Sequence, residues 1–159
     1  MLIAVLAAFP AAGPASAKPG PVDPPGGQSC TLKPSQPFVS AGPTKTSVGK
    51  YAFTVEAVAL MDCNFIPYAF SVTSVLHNSM DGVTGANRSS TVSCANHTYC
   101  EANAFLTREG LLCGFTYNYD DYTQATGWYK ATSSSGQTTL QSVNSSHSRG
   151  SSHNPPGVC

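Results

Sequence analysis

The chain has 159 residues, of which only 10% are charged, and its eight basic and eight acidic side chains leave a formal net charge of zero. That balance gives no basic excess of the kind on which nucleic-acid or anionic-membrane binding depends, so neither partner is expected. The length suits one domain with a single core, and the abundance of Ser, Thr, Asn and Gly suits strands whose exposed faces carry hydroxyls and amides.

The chain opens on an apolar run, residues 2–9, that is too short to span a bilayer and leads through Pro10 and Pro14 to Ala15-Ser16-Ala17. A hydrophobic region followed by a small-x-small site is the pattern of a secretory signal peptide, so residues 1–17 are expected to be removed on export. No Lys or Arg precedes the run, which places the expected true start upstream of Met1. Residues 18–35 begin Lys-Pro-Gly-Pro-Val-Asp-Pro-Pro-Gly-Gly and are expected to form an extended linker. No later apolar segment is long enough to cross a membrane as a helix.

The domain itself is expected over residues 36–143, and its period is two. From 50 to 63 the odd positions Tyr51, Phe53, Val55, Ala57, Ala59, Met61 and Cys63 form one apolar face, as in a half-buried strand. The even positions Ile66, Tyr68, Phe70, Val72 and Leu76 repeat the pattern, and the two runs are expected to pair as a hairpin. Residues 89–94 form a shorter strand after a loop marked by Asp81-Gly82 and Gly85. Two further arms, 99–106 and 111–119, are expected to fold back on each other across a turn at Glu109-Gly110, with Leu106 opposite Cys113 and Ala104 opposite Phe115. A strand near 127–133 carries the single tryptophan, Trp128, and 138–143 has enough β-branched content for one more. The remainder, 144–159, is a Ser/His-rich tail with little expected order. No window carries sustained helical periodicity, so the expected fold is all-β, a disulfide-stapled antiparallel β-sandwich.

Six cysteines behind an export signal point to three disulfides rather than to metal ligation or redox chemistry, because no Cys-x-x-Cys spacing occurs. Cys94 and Cys100 close a short loop and are expected to bond. Cys63 and Cys113 sit on apolar faces of long strands and are expected to bridge the core, which leaves Cys30 to pair with Cys159. The two-sheet, bridged plan is similar to that of an immunoglobulin domain, although Trp128 follows both Cys63 and Cys113 here instead of lying between them. The leader and hydroxyl-rich strands resemble those of small exported bacterial proteins.

No hydrolase nucleophile elbow of the Gly-x-Ser-x-Gly kind is present, and no cofactor is expected. Aromatic rings beside Asp, Asn and Gln are what a glycan- or peptide-binding surface requires, and this places a candidate site on Asp120, Asp121, Tyr122 and Trp128. The expected function is therefore a secreted, non-enzymatic module that binds an extracellular glycan or protein. The alternatives are a small secreted hydrolase using a histidine with Asp120 or Asp121, and an inhibitor or toxin-like effector.

Overall fold

Alternation of β-branched or aromatic residues with hydroxyl and amide residues is carried into structure strand by strand. The computed structural model describes residues 26–81, 87–153 and 155–159; the expected signal peptide and the first part of the linker lie outside the described residues. Among the described residues ten strands follow in order: β1 (Cys30–Pro34), β2 (Phe38–Ser47), β3 (Lys50–Cys63), β4 (Ala69–His77), β5 (Arg88–Cys94), β6 (Tyr99–Leu112), β7 (Tyr117–Lys130), β8 (Thr138–Thr139), β9 (Val143–Asn144) and β10 (Ser148–Ser152). All pairings are antiparallel and no described residue is helical.

The strands form two sheets. In the first, β3 is central: β6 lies along one edge, while β1 and β2 divide the other between them, β1 against Ala59 to Cys63 and β2 against Lys50 to Glu56. In the second, β5, β4 and β7 are successive neighbours. The far edge of β7 is covered by β8, β9 and β10 in turn, so that residues 138–152 form an interrupted strap reaching from Tyr129 down to Tyr117.

Inward residues of both sheets meet in two apolar clusters. One gathers Met61, Phe70, Val72 and Tyr129 with Ala59, Ala102 and the Cys30 and Cys63 pair; the other gathers Tyr51, Phe53, Val55, Leu76, Leu106 and Leu111. Alanines at the centre of β3 and β6, where Ala57 faces Ala104 and Ala59 faces Ala102, leave room for the large rings of the opposite sheet. Gly127 serves the same end, because a Cβ there would stand 2.2 Å from Met61 Cε and 2.7 Å from the Ser71 carbonyl oxygen. Burying some twenty apolar side chains at about 25 cal/mol per Å² is the dominant favourable contribution to the fold.

The sandwich and its antiparallel sheets match the sequence reading, while several connections do not. The two runs at 50–63 and 66–76 are not a hairpin: β3 and β4 lie in different sheets, with Ile66 and Tyr68 exposed in the crossing between them. Glu109-Gly110 is not a turn either. Gly110 adopts a φ of 71° inside β6, which runs on to Leu112, and the chain turns at Cys113-Gly114, where Phe115 N donates to the Leu112 carbonyl. Leu106 consequently lies opposite Val55 and Ala104 opposite Ala57. The domain also extends beyond 36–143 at both ends, since β1 occupies part of the expected linker and β10 part of the expected tail.

Two of the expected disulfides are replaced for the same reason. Cys94 bonds Cys100, but Cys63 bonds Cys30 and Cys113 bonds Cys159. Pairing of β1 with β3 sets Cys30 directly opposite Cys63, a register hidden when 30–34 is taken for linker. Cys113 lies just past β6, where the chain returning from the strap can reach it. The immunoglobulin likeness draws no support from these bonds: Cys30–Cys63 lies within one sheet, Cys94–Cys100 joins β5 to β6 at a corner, and Trp128 points away from the core.

Candidate functional site

Along β7 the odd positions Asp121, Thr123, Ala125, Gly127 and Tyr129 are buried, so the even positions Asp120, Tyr122, Gln124, Thr126 and Trp128 line the outer face of the second sheet. Register with β4, β5 and the strap arranges this face in cross-strand rows. Ser93, Ser71, Trp128 and Thr139 form one, Thr91, Thr73 and Thr126 the next, and Ser89, Val75, Gln124 and Asn144 the third. Hydroxyls and amides bond along the rows, Thr73 to Thr91 at 2.8 Å and Gln124 Nε2 donating to Asn144 Oδ1 at 3.3 Å. These three rows hold no charged side chain among the described residues.

A different chemistry closes the lower end. His77 from β4 stacks on Tyr122 with centroids 4.4 Å apart and planes within 6°, and His147 from the strap covers the other face at 4.9 Å. Three rings thus stand side by side, His77 from β4, Tyr122 from β7 and His147 from the strap just before β10. The Asn87 Nδ2 group lies 3.1 Å from His77 Nδ1. An amide donor there makes Nδ1 the acceptor and leaves the proton of the neutral ring on Nε2, which is buried without a partner among the described residues. Asp120 receives Nδ1–H of His147 at 2.5 Å and Nε–H of Arg149 at 3.1 Å.

The structure therefore separates the four residues singled out from sequence. Asp120 and Tyr122 belong to the ring stack, and Trp128 stands six residues farther along the same face, about 20 Å away. Asp121 is not on the face at all. It is 1% exposed between the sheets, where both carboxylate oxygens accept from Arg108 Nη2 at 2.6 and 2.7 Å, and Ser79 N donates to it at 3.2 Å. His77, His147 and Arg149 complete the lower cluster; the sequence offers the histidines only as unassigned partners of Asp120 or Asp121, and Arg149 carries no signal there. Outward parity on β4 made His77 legible, but His147 and Arg149 lie in a segment that composition alone marks as unordered.

Among the described residues no hydroxyl is bonded to the His147 ring of the lower cluster's His–Asp pair; the Ser145 hydroxyl donates to the Ser146 carbonyl and accepts from Thr123 N. No group of three or more His, Cys, Asp or Glu able to hold a metal occurs among the described residues. Two surface cavities, of about 160 and 180 Å³, are lined by Phe53, Tyr119 and neighbours and by Asp62, Asn64 and neighbours, and neither includes Asp120, Tyr122 or Trp128. No known protein family, curated protein or solved structure matches the chain.

Hydrogen bonds from His147 and then Arg149 hold the Asp120 carboxyl below the ordinary aspartate value. A depressed folded pKa means that this carboxylate's contribution to docking the strap is present at neutral pH and is lost as pH falls through the depressed value. Acidification should therefore lower hydrogen-exchange protection of the β10 amides, after correction for intrinsic exchange rates. Asp120→Asn should remove that acid-dependent step, and an unchanged step in the variant would contradict the assignment.

Proposed function

We propose that the protein is an exported, non-enzymatic binding module that recognises a neutral polysaccharide across the outer face of its second sheet. Oxidation of all six cysteines into disulfides supports an oxidising, extracellular setting. The observation that carries the binding reading is the placement of Trp128 between the small side chains Ser71 and Thr139 at the head of an uncharged ladder of hydroxyls and amides. Flat apolar stacking joined to directional hydrogen bonds is the combination that a sugar ring requires. Among the described residues no other ring stacks on Trp128, whereas both faces of Tyr122 are already covered. The stacking platform is thus Trp128, with Gln124, Thr126 and Thr73 as the polar track.

Sedimentation with insoluble neutral polysaccharides, followed by calorimetry with soluble oligosaccharides, tests this. Trp128→Ala should weaken binding at least tenfold, on the order of the loss of a central aromatic anchor, while Tyr122→Ala should change it little. Equal binding by wild type and Trp128→Ala, or none by the wild type to any neutral glycan, would remove the proposal.

A further inference from the structure

The outer face of the first sheet differs in kind from that of the second. Register places Phe38 of β2 directly opposite Glu56 of β3, and Glu56 directly opposite Phe105 of β6, so the three side chains form one row on the solvent side. Phe38 is 47% exposed and Phe105 52%, and neither belongs to a core cluster. The ion pairs among the described residues leave Glu56 out: Lys33 is taken by Asp62, Arg108 by Asp121, and His147 and Arg149 by Asp120.

We infer that Phe38, Glu56 and Phe105 form a clamp for an organic cation. Adjacent strands lie about 4.8 Å apart, which sets the two phenylalanine Cα atoms roughly 10 Å apart with the carboxylate midway between them. A positive group seated over Glu56 would stand about 5 Å from each ring, inside the ~6 Å range in which an aromatic quadrupole attracts a cation. The aromatic walls supply attraction from two sides and the carboxylate supplies the counter-charge. Neighbouring positions support a donor-bearing ligand: Asn103, two residues from Phe105 on the same face, has a buried Oδ1 with no hydrogen-bond partner among the described residues. On the other side the hydroxyls of Thr54 and Thr107 already bond each other at 3.0 Å.

A second copy of the chain is a poor occupant, because it would bring the same carboxylates against each other. The chemistry that fits is an alkylammonium or guanidinium group, either the side chain of a basic protein segment or a free quaternary ammonium compound. The site is on the opposite sheet from the polysaccharide face and does not depend on that reading.

Titration followed by NMR on the aromatic resonances of the oxidised protein tests the clamp. The probes are tetramethylammonium chloride and the peptides Gly-Arg-Gly and Gly-Lys-Gly, with neopentyl alcohol and Gly-citrulline-Gly as neutral comparators and sodium chloride at matched ionic strength. The expected result is saturable shifts of the Phe38 and Phe105 ring protons with the cations, and at least tenfold weaker effects with the neutral compounds. Phe38→Leu and Phe105→Leu should each weaken binding about threefold, and Glu56→Gln should do so by a larger factor, with the remaining spectrum reporting an intact fold. Preference for the arginine or lysine peptide assigns the site to a protein side chain, and preference for tetramethylammonium assigns it to a free compound. Equal shifts with neutral comparators, no shifts at these rings, or cation binding unchanged in Glu56→Gln and Phe105→Leu would overturn the inference.

Discussion

Asp121→Ala should destabilise the protein by about 3–5 kcal/mol, the range observed when one member of a buried ion pair is removed. Arg108 and Asp121 are each 1% exposed, and they join β6 of one sheet to β7 of the other. Arg108 also donates to Asn78 Oδ1 from Nε at 3.2 Å and from Nη2, and its guanidinium lies 5.5 Å from the Phe53 ring and 5.6 Å from that of Tyr119. Deleting the carboxylate leaves a cation between two rings with one amide oxygen to answer it, in a place water does not reach. Urea unfolding measures the effect. With a slope near 2 kcal/mol/M, the midpoint should fall by roughly 2 M. The double variant Arg108→Met/Asp121→Leu should recover much of the loss, because replacing both charges with apolar groups removes the desolvation cost along with the attraction. If the double variant is as unstable as Asp121→Ala, packing around the pair rather than its charge is what holds that level of the core.

The second large effect concerns the strap. None of the residues of β8, β9 or β10 is buried, so the strap rests on edge hydrogen bonds, on Leu140 and Val158 packed against the clusters, and on Cys113–Cys159. Tyr51 Oη bonds Ser152 Oγ at 2.7 Å and Gln36 Nε2 donates to the His147 carbonyl at 2.8 Å, adding ties to the first sheet. Closing a loop across a sequence separation of 46 corresponds to about 4 kcal/mol in the chain-entropy account, against about 2 kcal/mol for the separation of six between Cys94 and Cys100. Cys113→Ser/Cys159→Ser should therefore lower the unfolding midpoint about twice as far as Cys94→Ser/Cys100→Ser. In the former variant the β10 amides should exchange well ahead of those of β4 and β7. Retained β10 protection would show that hydrogen bonds alone secure the strap.

These two features mark where sequence reading succeeds and stops. Period-two alternation identified the inner faces of β3, β4 and β6, because burial of one face imposes a pattern that survives without knowledge of the partner strand. It did not identify partners. Alternation is equally compatible with a hairpin and with two strands facing across a core, and this is why it does not distinguish the expected hairpin of 50–63 with 66–76 from two facing strands, or the expected fold-back of 99–106 on 111–119 from one long β6. β2 was invisible because all ten of its residues are exposed, and a strand with no buried face carries no alternation. The strap is legible only at 138–143, where β8 and the start of β9 lie; β10 is not, since it is specified by the open edge of β7 and by a distant cysteine rather than by its own composition. Tyr122 and Trp128 both lie at outward positions of β7, but their separation of about 20 Å is a property of strand geometry that composition does not reveal. Asp121 shows the same parity rule working against a naive pairing of adjacent aspartates: one faces solvent and the other faces Arg108.

The order of the disulfides has a consequence for how the chain is made. The first cysteine joins the second, the third the fourth and the fifth the sixth, so the three covalent loops follow one another without enclosing or interlacing. A polypeptide entering an oxidising compartment from its N-terminus presents each thiol with its native partner as the next cysteine to arrive. On export into such a compartment every bond formed in order of arrival would be a correct one, and no slow breaking and remaking of mispaired bridges would be needed.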